Sequence, residues 1–274
     1  MEYAVGITLY NPKSEQLNNV EYISNCFSKT FVYDNTEKDR VLDATILPDS
    51  VLYFSTGKND GLPTALNFML NKAFELQCDF LCLLDQDSKL KQSEVDKIQR
   101  YIEDIPESEL DEIAIVSPQV DYGFNQKTLD CTTECKWVIT SGSFLNCRIL
   151  KKNEIWYDKN YFVDRADADV CKQILKKKLR IIQYNKAVLK QELGDTPGQK
   201  HSNHSPLRHY YIFRDRYYYN NKYYKGIEKA CRNILGTGRH FWLILFYESE
   251  KVDKIKMMFL ATRDYMNRKT GKGV

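Results

Sequence analysis

Short apolar runs alternate with amphipathic stretches along the first half of the chain. Tyr3-Ala-Val-Gly-Ile-Thr-Leu-Tyr10 is apolar and rich in β-formers, and Asn11-Pro12 ends it. A helical pattern follows over residues 14–26. Thr30-Phe-Val-Tyr33 predicts a second strand, broken by Asp34-Asn35-Thr36. Ser50-Val-Leu-Tyr-Phe54 predicts a third, which leads into a polar turn ending at Gly61. From Leu62 to Leu76 the apolar residues return at Leu66, Met69, Leu70 and Ala73, the spacing of one helical face. Asp79-Phe-Leu-Cys-Leu-Leu84 reads as a buried strand and stops at Asp85-Gln-Asp-Ser88. A helix over residues 93–103 and a strand at Ile113-Ala-Ile-Val116 continue the rhythm. Strands spaced by helices predict an α/β protein with a mostly parallel, Rossmann-like sheet flanked by helices. Such sheets bind ligands beyond the carboxyl ends of their strands.

Those ends are polar in order: Asn11, then Asp34-Asn35, then Lys58-Asn59, then Asp85-Gln86-Asp87. The last is the sharpest. An apolar strand that ends in Asp-x-Asp sets two carboxylates at one edge, where hard divalent cations find oxygen ligands. The plainer alternative makes Asp87 or Ser88 the cap of the following helix. A second carboxylate group, Asp164, Asp167 and Asp169, stands at the start of a helix expected over 168–178. There too, helix capping is the plainer reading.

The ordered set of motifs resembles family-2 glycosyltransferases with the GT-A fold, and its wording is similar to their bacterial rhamnosyltransferase-like branch. The resemblance rests on Asn59-x-Gly61-x-x-x-Ala65-x-Asn67, Leu83-Leu-Asp-Gln-Asp-Ser88 and Ile139-Thr-Ser-Gly-Ser-Phe-Leu145. It continues through Tyr161-Phe-Val-Asp-Arg-Ala-Asp-Ala-Asp-Val-Cys171, Gln191-Glu-Leu-Gly-Asp195 and His204-Ser-Pro-Leu-Arg-His-Tyr-Tyr211. It implies inverting transfer of a sugar from a nucleotide-diphosphate donor to an acceptor hydroxyl, with Mn²⁺ or Mg²⁺ as cofactor. Leu9, Tyr10, Asn11 and Asp34 would meet the base and ribose, with Lys58 and Asn59 nearby. Asp87 would hold the metal, with Asp85 near the ribose or the metal and Gln86 beside them on the donor side. Ser141 and Gly142 would lie on the acceptor side. Asp167 takes the place of the general base, and Asp164 would line the acceptor pocket, although Ala166-Asp167 stands where relatives carry Glu-Asp. Arg208, Tyr211 and Arg214 would close over the diphosphate. Gln191 occupies a place where many relatives carry a histidine that joins the metal site, and His201 or His204 could substitute for it.

Charge adds a partner class. From Gln199 onward the chain carries 16 Lys and Arg against 6 Asp and Glu, a net of +10 within an overall +3. This half is rich in tyrosine and holds the apolar run Phe241-Trp-Leu-Ile-Leu-Phe-Tyr247. Two or three helices are expected there, forming an extension (201–274) packed on a catalytic domain (1–200). Basic, aromatic and apolar residues together suit an anionic membrane surface; core packing is the competing role for 241–247. Met1-Glu2-Tyr3 opens no secretory signal, and no apolar run approaches a membrane span. The eight cysteines form no Cys-x-x-Cys pair and are expected as reduced, buried thiols. Cys78/Cys82 and Cys131/Cys135, each four apart, could share helical faces. These features place the protein in the cytoplasm, peripheral on the inner face of the cell membrane where the tail engages it. Its acceptor would be a saccharide or a polyprenyl-linked sugar. The family branch favours dTDP-rhamnose as donor, with UDP-galactofuranose, UDP-galactose and UDP-glucose as alternatives. A non-enzymatic protein that binds nucleotide sugars or anions is a further alternative. No nucleic-acid recognition motif appears. A dehalogenase-type phosphatase would carry its Asp-x-Asp near the start of the chain, followed by Thr. A nucleotidyltransferase would need a Gly-rich, Arg-containing first loop, which Leu9-Tyr-Asn-Pro12 is not.

Overall fold

In the computed structural model, which describes residues 1–122, 130–191 and 203–274, the strand β4 (Phe80–Asp85) has no polar residue before its last. Both of its faces are covered. Phe80, Cys82 and Leu84 enter one buried cluster with Val5, Ile7, Leu9 and Ile98. Leu81 and Leu83 enter another, with Ala4, Phe31, Met69 and Leu145. Burying each such large side chain stabilises by about 1.5–3 kcal/mol, so the sheet is the backbone of the core.

Eight strands form this sheet: β1 (Tyr3–Leu9), β2 (Lys29–Asp34), β3 (Val51–Ser55), β4, β5 (Ile113–Asp121), β6 (Thr132–Glu134), β7 (Ser143–Asn146) and β8 (Arg180–Lys190). Their order is β3-β2-β1-β4-β7-β5-β8-β6. The β3-β2-β1-β4 half is parallel throughout. β7 runs antiparallel between β4 and β5, and β6 lies antiparallel on β8, so the sheet is mixed. The early helices are α1 (Ser14–Ser24), α2 (Leu62–Glu75), α3 (Gln92–Glu103) and the short α4 (Glu107–Leu110). α5 (Cys147–Lys152), α6 (Ala166–Lys176), α7 (Pro206–Tyr223), α8 (Gly226–Tyr247) and α9 (Lys251–Met266) follow. Helices α2, α5 and α6 cover one face of the sheet, and α1 and α3 the other.

The expected early elements are present within one or two residues, except that the strand expected at 113–116 continues to Asp121. The expected helix at 168–178 instead begins at Ala166, after Arg165 in a left-handed conformation (φ 66°). Neither cysteine pair shares a helical face: Cys82 lies in β4 just after Cys78, and Cys131 and Cys135 flank β6. All eight thiols are free, but only Cys78, Cys82, Cys147 and Cys171 are buried. The proposed division at residue 200 falls at residues outside the described part. Beyond it, α7 is buried almost throughout from His209 to Tyr217, and Phe162 joins it, with Ile244 of α8 and Met258 and Ala261 of α9, in a third cluster. The run 241–247 is divided: Ile244 is buried, whereas Trp242, Phe246 and Tyr247 are exposed.

One glycine ties the sheet domain to the 161–167 segment. Gly61, at φ 82° and ψ 160°, starts α2 in a backbone region that essentially only glycine occupies. A Cβ there would come within 2.7 Å of the Phe162 ring, and Leu62 N–H donates to the Phe162 carbonyl at 2.8 Å. Gly61→Ala is expected to destabilise the protein by at least about 1–3 kcal/mol. Urea unfolding of both forms checks this; equal midpoints would count against the contact.

Candidate active site

An open cleft of about 700 Å³ lies beyond the carboxyl ends of β1 and β4. Its near wall starts with a mutual amide clamp. Tyr10 N–H donates to Gln86 Oε1 at 2.8 Å, and Gln86 Nε2 donates to the Tyr10 carbonyl at 3.3 Å. Gln86 thus fastens the loop after β1 to the turn after β4 and leaves the Tyr10 ring 46% exposed at the rim, free to stack on a flat ligand. The turn itself is held from behind. Asn19 of α1 donates to the carbonyls of Gln86 and Ser88. Asp85 N–H donates to Ser141 Oγ at 3.1 Å, and the Ser88 and Ser141 hydroxyls meet at 2.6 Å. α3 begins at Gln92 with Lys91 as its cap residue, so neither Asp87 nor Ser88 caps it. The Asp-x-Asp turn therefore serves the cleft. Burial first, then the Asp87 charge, pushes the Asp85 carboxyl up to about 6.

The far wall is the segment 162–167. Asp215 of α7, fully buried, accepts the Phe162 and Asp164 N–H groups at 3.1 and 3.3 Å. Tyr211 stacks on Phe162 with ring centres 4.6 Å apart. Asp164 is ion-paired with Arg165 at 3.3 Å and with Arg208 at 3.8 Å. Asp167 lies one turn on, in the first turn of α6; its Oδ1 accepts the Ala168 N–H at 2.7 Å. Burial, the largest influence, pushes its carboxyl up to about 6. Asp169 faces away. It is fully buried and bound by Tyr161, Tyr223, Gln173 and Lys222, which makes it a packing anchor rather than a helix cap.

Leu9, Tyr10, Asn59, Asp85, Gln86, Asp87, Ser141, Asp164, Asp167, Arg208 and Tyr211 all line this cleft. Other expected residues do not. Asp34 is fully buried behind the wall, where it accepts from Thr36 N–H and Tyr53 O–H at 2.8 Å each; the neighbouring Asn35 lines the cleft instead. Asn11 and Lys58 are exposed outside it. Gly142 contributes backbone: at φ 79° it turns the chain so that Ser141 faces the cleft, and a Cβ would come within 2.9 Å of Leu189. Arg214 cannot close over a ligand. It is fully buried, pairs with Asp215 at 2.9 Å and lies against the Tyr210 and Tyr211 rings. His201 lies outside the described residues, whereas His204 is on the wall. Sequence reasoning marked Asn35 only as part of a polar strand end and missed Tyr122 and Thr140 on the wall and Asp215 behind it. For Asp215 a signal existed: a carboxylate inside the aromatic run Tyr210–Tyr219 needs a buried partner.

The residues present fit a hard divalent cation. Asp85 and Asp87 supply carboxylates, and Gln191, in the same cleft, has a buried Oε1 with no hydrogen-bond partner among the described residues while its Nε2 donates to Asp85 at 3.4 Å. An orphaned amide oxygen beside two carboxylates is an oxygen donor set of the kind Mg²⁺ and Mn²⁺ accept.

The sheet order, the Asp-x-Asp turn and the cleft together define the GT-A glycosyltransferase architecture, and comparison with solved structures agrees. S. aureus TarS 1-349 in complex with UDP-GlcNAc superposes with a TM-score of 0.55 at 14% identity, covering 98% of this chain and 81% of that one. GalNAc-T7 with UDP, GalNAc and Mn²⁺ gives 0.54 at 12% identity, covering 81% of this chain and 50% of that one. By sequence, the chain is similar to the dTDP-rhamnosyl transferase RfbF of Shigella flexneri, 23% identical over 296 residues that span 99% of this chain and 97% of the relative. No protein-family model matches. The resemblance to family-2 glycosyltransferases with the GT-A fold is thereby borne out.

If Asp167 acts as a base, transfer requires its carboxylate form. A carboxyl raised to about 6 is half protonated there, so kcat/KM, which reports the free protein, is expected to fall as pH drops through about 6. An ordinary aspartate would hold it to about pH 4. A kcat/KM profile flat between those values would remove Asp167 from the proton transfer.

Proposed function

We propose that this protein is an inverting glycosyltransferase that takes a sugar from a nucleotide-diphosphate donor and places it on a hydroxyl of a saccharide or polyprenyl-linked acceptor. The reading extends to bacterial surface polysaccharide synthesis, with dTDP-rhamnose as the favoured donor because the full-length similarity is to a dTDP-rhamnosyl transferase. One observation supports it: Asp85 and Asp87, from the turn after β4, and Asp167, from the first turn of α6, line the same cleft. Inverting displacement needs two such groups from separate segments, with leaving-group stabilisation on one side of the sugar and a base on the opposite side.

Each wall has a distinct task. Tyr10 would stack on the base, and Asn35 and Asn59 would bind the ribose side. Asp85, Asp87 and Gln191 would hold Mn²⁺ or Mg²⁺, which as a Lewis acid neutralises charge on the departing diphosphate. Arg208 adds a planar cation to the same end of the cleft. Asp164 is neutralised by its two arginines, so it orients the acceptor. Asp167 has no ion-pair partner among the described residues and takes the acceptor proton. Asp167→Asn is expected to keep donor and metal binding while losing roughly 10²–10⁴-fold in transfer rate. Asp164→Asn should chiefly raise the acceptor KM. Asp87→Ala should abolish the Mn²⁺ dependence of donor binding in calorimetry. Near wild-type transfer by Asp167→Asn with a dead Asp164→Asn would move the base to Asp164. Calorimetry with dTDP-rhamnose, UDP-galactofuranose, UDP-galactose and UDP-glucose decides the donor.

The reading includes a membrane surface on α8. Ile227, Ile234, Leu235, Trp242 and Phe246, each more than half exposed, recur along this 22-residue helix at helical spacing. Among the described residues, no helix is long and apolar enough to cross a membrane. An exposed apolar row in a segment of net charge +10 fits an interface of anionic lipid, where each basic residue close to the surface adds about 1 kcal/mol. Salt-sensitive co-sedimentation with anionic vesicles is expected, and Trp242→Glu should weaken it. Absence of binding at low salt would retire this surface.

A further inference from the structure

Helix α8 is weakly held for its length. Of its 22 residues only Ile244 is buried. Phe241 packs beside it, and the His240 ring lies on Phe213 with ring centres 4.9 Å apart. Polar ties to α7 add to these: Arg216 to the Gly236 carbonyl at 3.0 Å, Tyr217 to Thr237 at 3.0 Å, and Asn220 to Asn233 at 2.7 Å. Near its carboxyl end stands a cluster of a different kind. His209 of α7, His240 of α8 and Glu248, the residue after α8, bring their ligand atoms within 4.8 Å of one another. His209 is fully buried, with Nε2 at 2.7 Å from Glu248 Oε2 and Nδ1 without a hydrogen-bond partner among the described residues. The half-buried His240 ring packs across His209 with ring centres 4.9 Å apart, and among the described residues it makes no hydrogen bond.

We propose that His209, His240 and Glu248 form a second metal site, for Zn²⁺, that staples α8 to α7. The donor chemistry selects the ion. Two imidazoles and one carboxylate are a borderline set that suits zinc, whereas the all-oxygen group at Asp85, Asp87 and Gln191 suits Mg²⁺ or Mn²⁺. Two imidazoles that leave ring nitrogens unpaired beside one carboxylate are what a site looks like before its ion enters. Lys254, fully buried, also binds Glu248 Oε2 at 2.7 Å and Asn203 at 2.7 Å. Among the described residues the hydrogen bonds to Glu248 thus fall on Oε2, and Oε1 remains for a metal. The ammonium lowers the site's affinity through charge repulsion, and it fixes the carboxylate in place. Three protein ligands leave one tetrahedral position for water. The site is independent of the proposed transfer reaction, because its role is to hold a helix.

The test uses the full chain, stripped with a chelator and titrated with Zn²⁺ and with Co²⁺. The Asp87→Ala form, which lacks a ligand of the cleft site, should still bind one Zn²⁺ per chain, gain thermal stability on binding, and give the visible absorption of four-coordinate Co²⁺. His240→Ala should weaken that ion by more than the roughly 10–100-fold that loss of an outer partner costs. Because His240 makes no hydrogen bond, this variant should fold, as circular dichroism will show. Glu248→Gln supplies an independent loss of a ligand. The proposal is overturned if Asp87→Ala binds no zinc, or if His240→Ala and Glu248→Gln bind it as tightly as the unsubstituted protein.

Discussion

The carboxylate of Asp215 joins two segments that are about fifty residues apart in the chain, and the far wall of the cleft depends on it. Its Oδ1 takes the Arg214 guanidinium, and its Oδ2 takes the Phe162 and Asp164 amides. Burial pushes this carboxyl up to about 6 in spite of the arginine beside it, so desolvation outweighs the pairing. A buried ion pair of this kind adds little net stability, because desolvating each ion costs several kcal/mol. What it supplies is position. With the two amides satisfied, the loop before α6 is fixed from behind, and Asp164 and Asp167 line the cleft. Leu62 N–H fixes the same loop from the sheet side through the Phe162 carbonyl. The loop is thereby clamped between α2 and α7.

The excess negative charge of the cleft lies at Asp85 and Asp87, since Arg165 and Arg208 offset Asp164 and Asp167, and that constrains what can enter. Asp85 and Asp167 are each raised to about 6, and each feels the other's neighbourhood: Asp87 and Asp167 raise Asp85, and Asp164 raises Asp167. Arg208 opposes both shifts. A diphosphate alone would be repelled here, whereas a diphosphate carrying a divalent cation would be attracted.

How far the sequence carried the reading differed by residue. The Asp-x-Asp turn was legible because β4 is apolar on both faces up to Asp85, so the first polar residues must lie beyond the sheet edge. Asp34 sits at an equivalent strand end, yet its side chain turns inward to Tyr53 and Thr36; position along the strand says where the backbone emerges and not which way the next side chain points. Gln86 was legible as a donor-side residue, but its role as a clamp on Tyr10 is visible only once two loops meet. β6 and β8 escaped because their alternation is broken: β8 pairs with β5 through shifts in register. Arg214 carried a misleading signal. A basic residue in a helix near a phosphate-binding segment suggests an anion contact, but its neighbours Tyr210, Tyr211 and Phe213 are the sides of a buried helix.

The C-terminal helices are therefore better regarded as part of the site than as an appendage. α7 supplies Arg208 and Tyr211 to the cleft and Asp215 to its support. The chain after α9 returns to the same region: Gly271 N–H donates to the Asn160 carbonyl at 3.2 Å, Lys272 pairs with Glu37 at 2.7 Å, and the Tyr211 hydroxyl donates to the Val274 carbonyl at 3.4 Å. These contacts tie α9 to the 158–162 turn, to the segment after β2 and to the ring that stacks on Phe162. α8 is the least buried of the three: of its 22 residues only Ile244 is buried, while Ile227, Ile234, Leu235, Trp242 and Phe246 are exposed. The difference follows what each helix holds: Asp215 and Tyr211 of α7 are buried because they support the 162–164 backbone and the Phe162 ring, whereas α8 adds no residue to the cleft lining among the described residues.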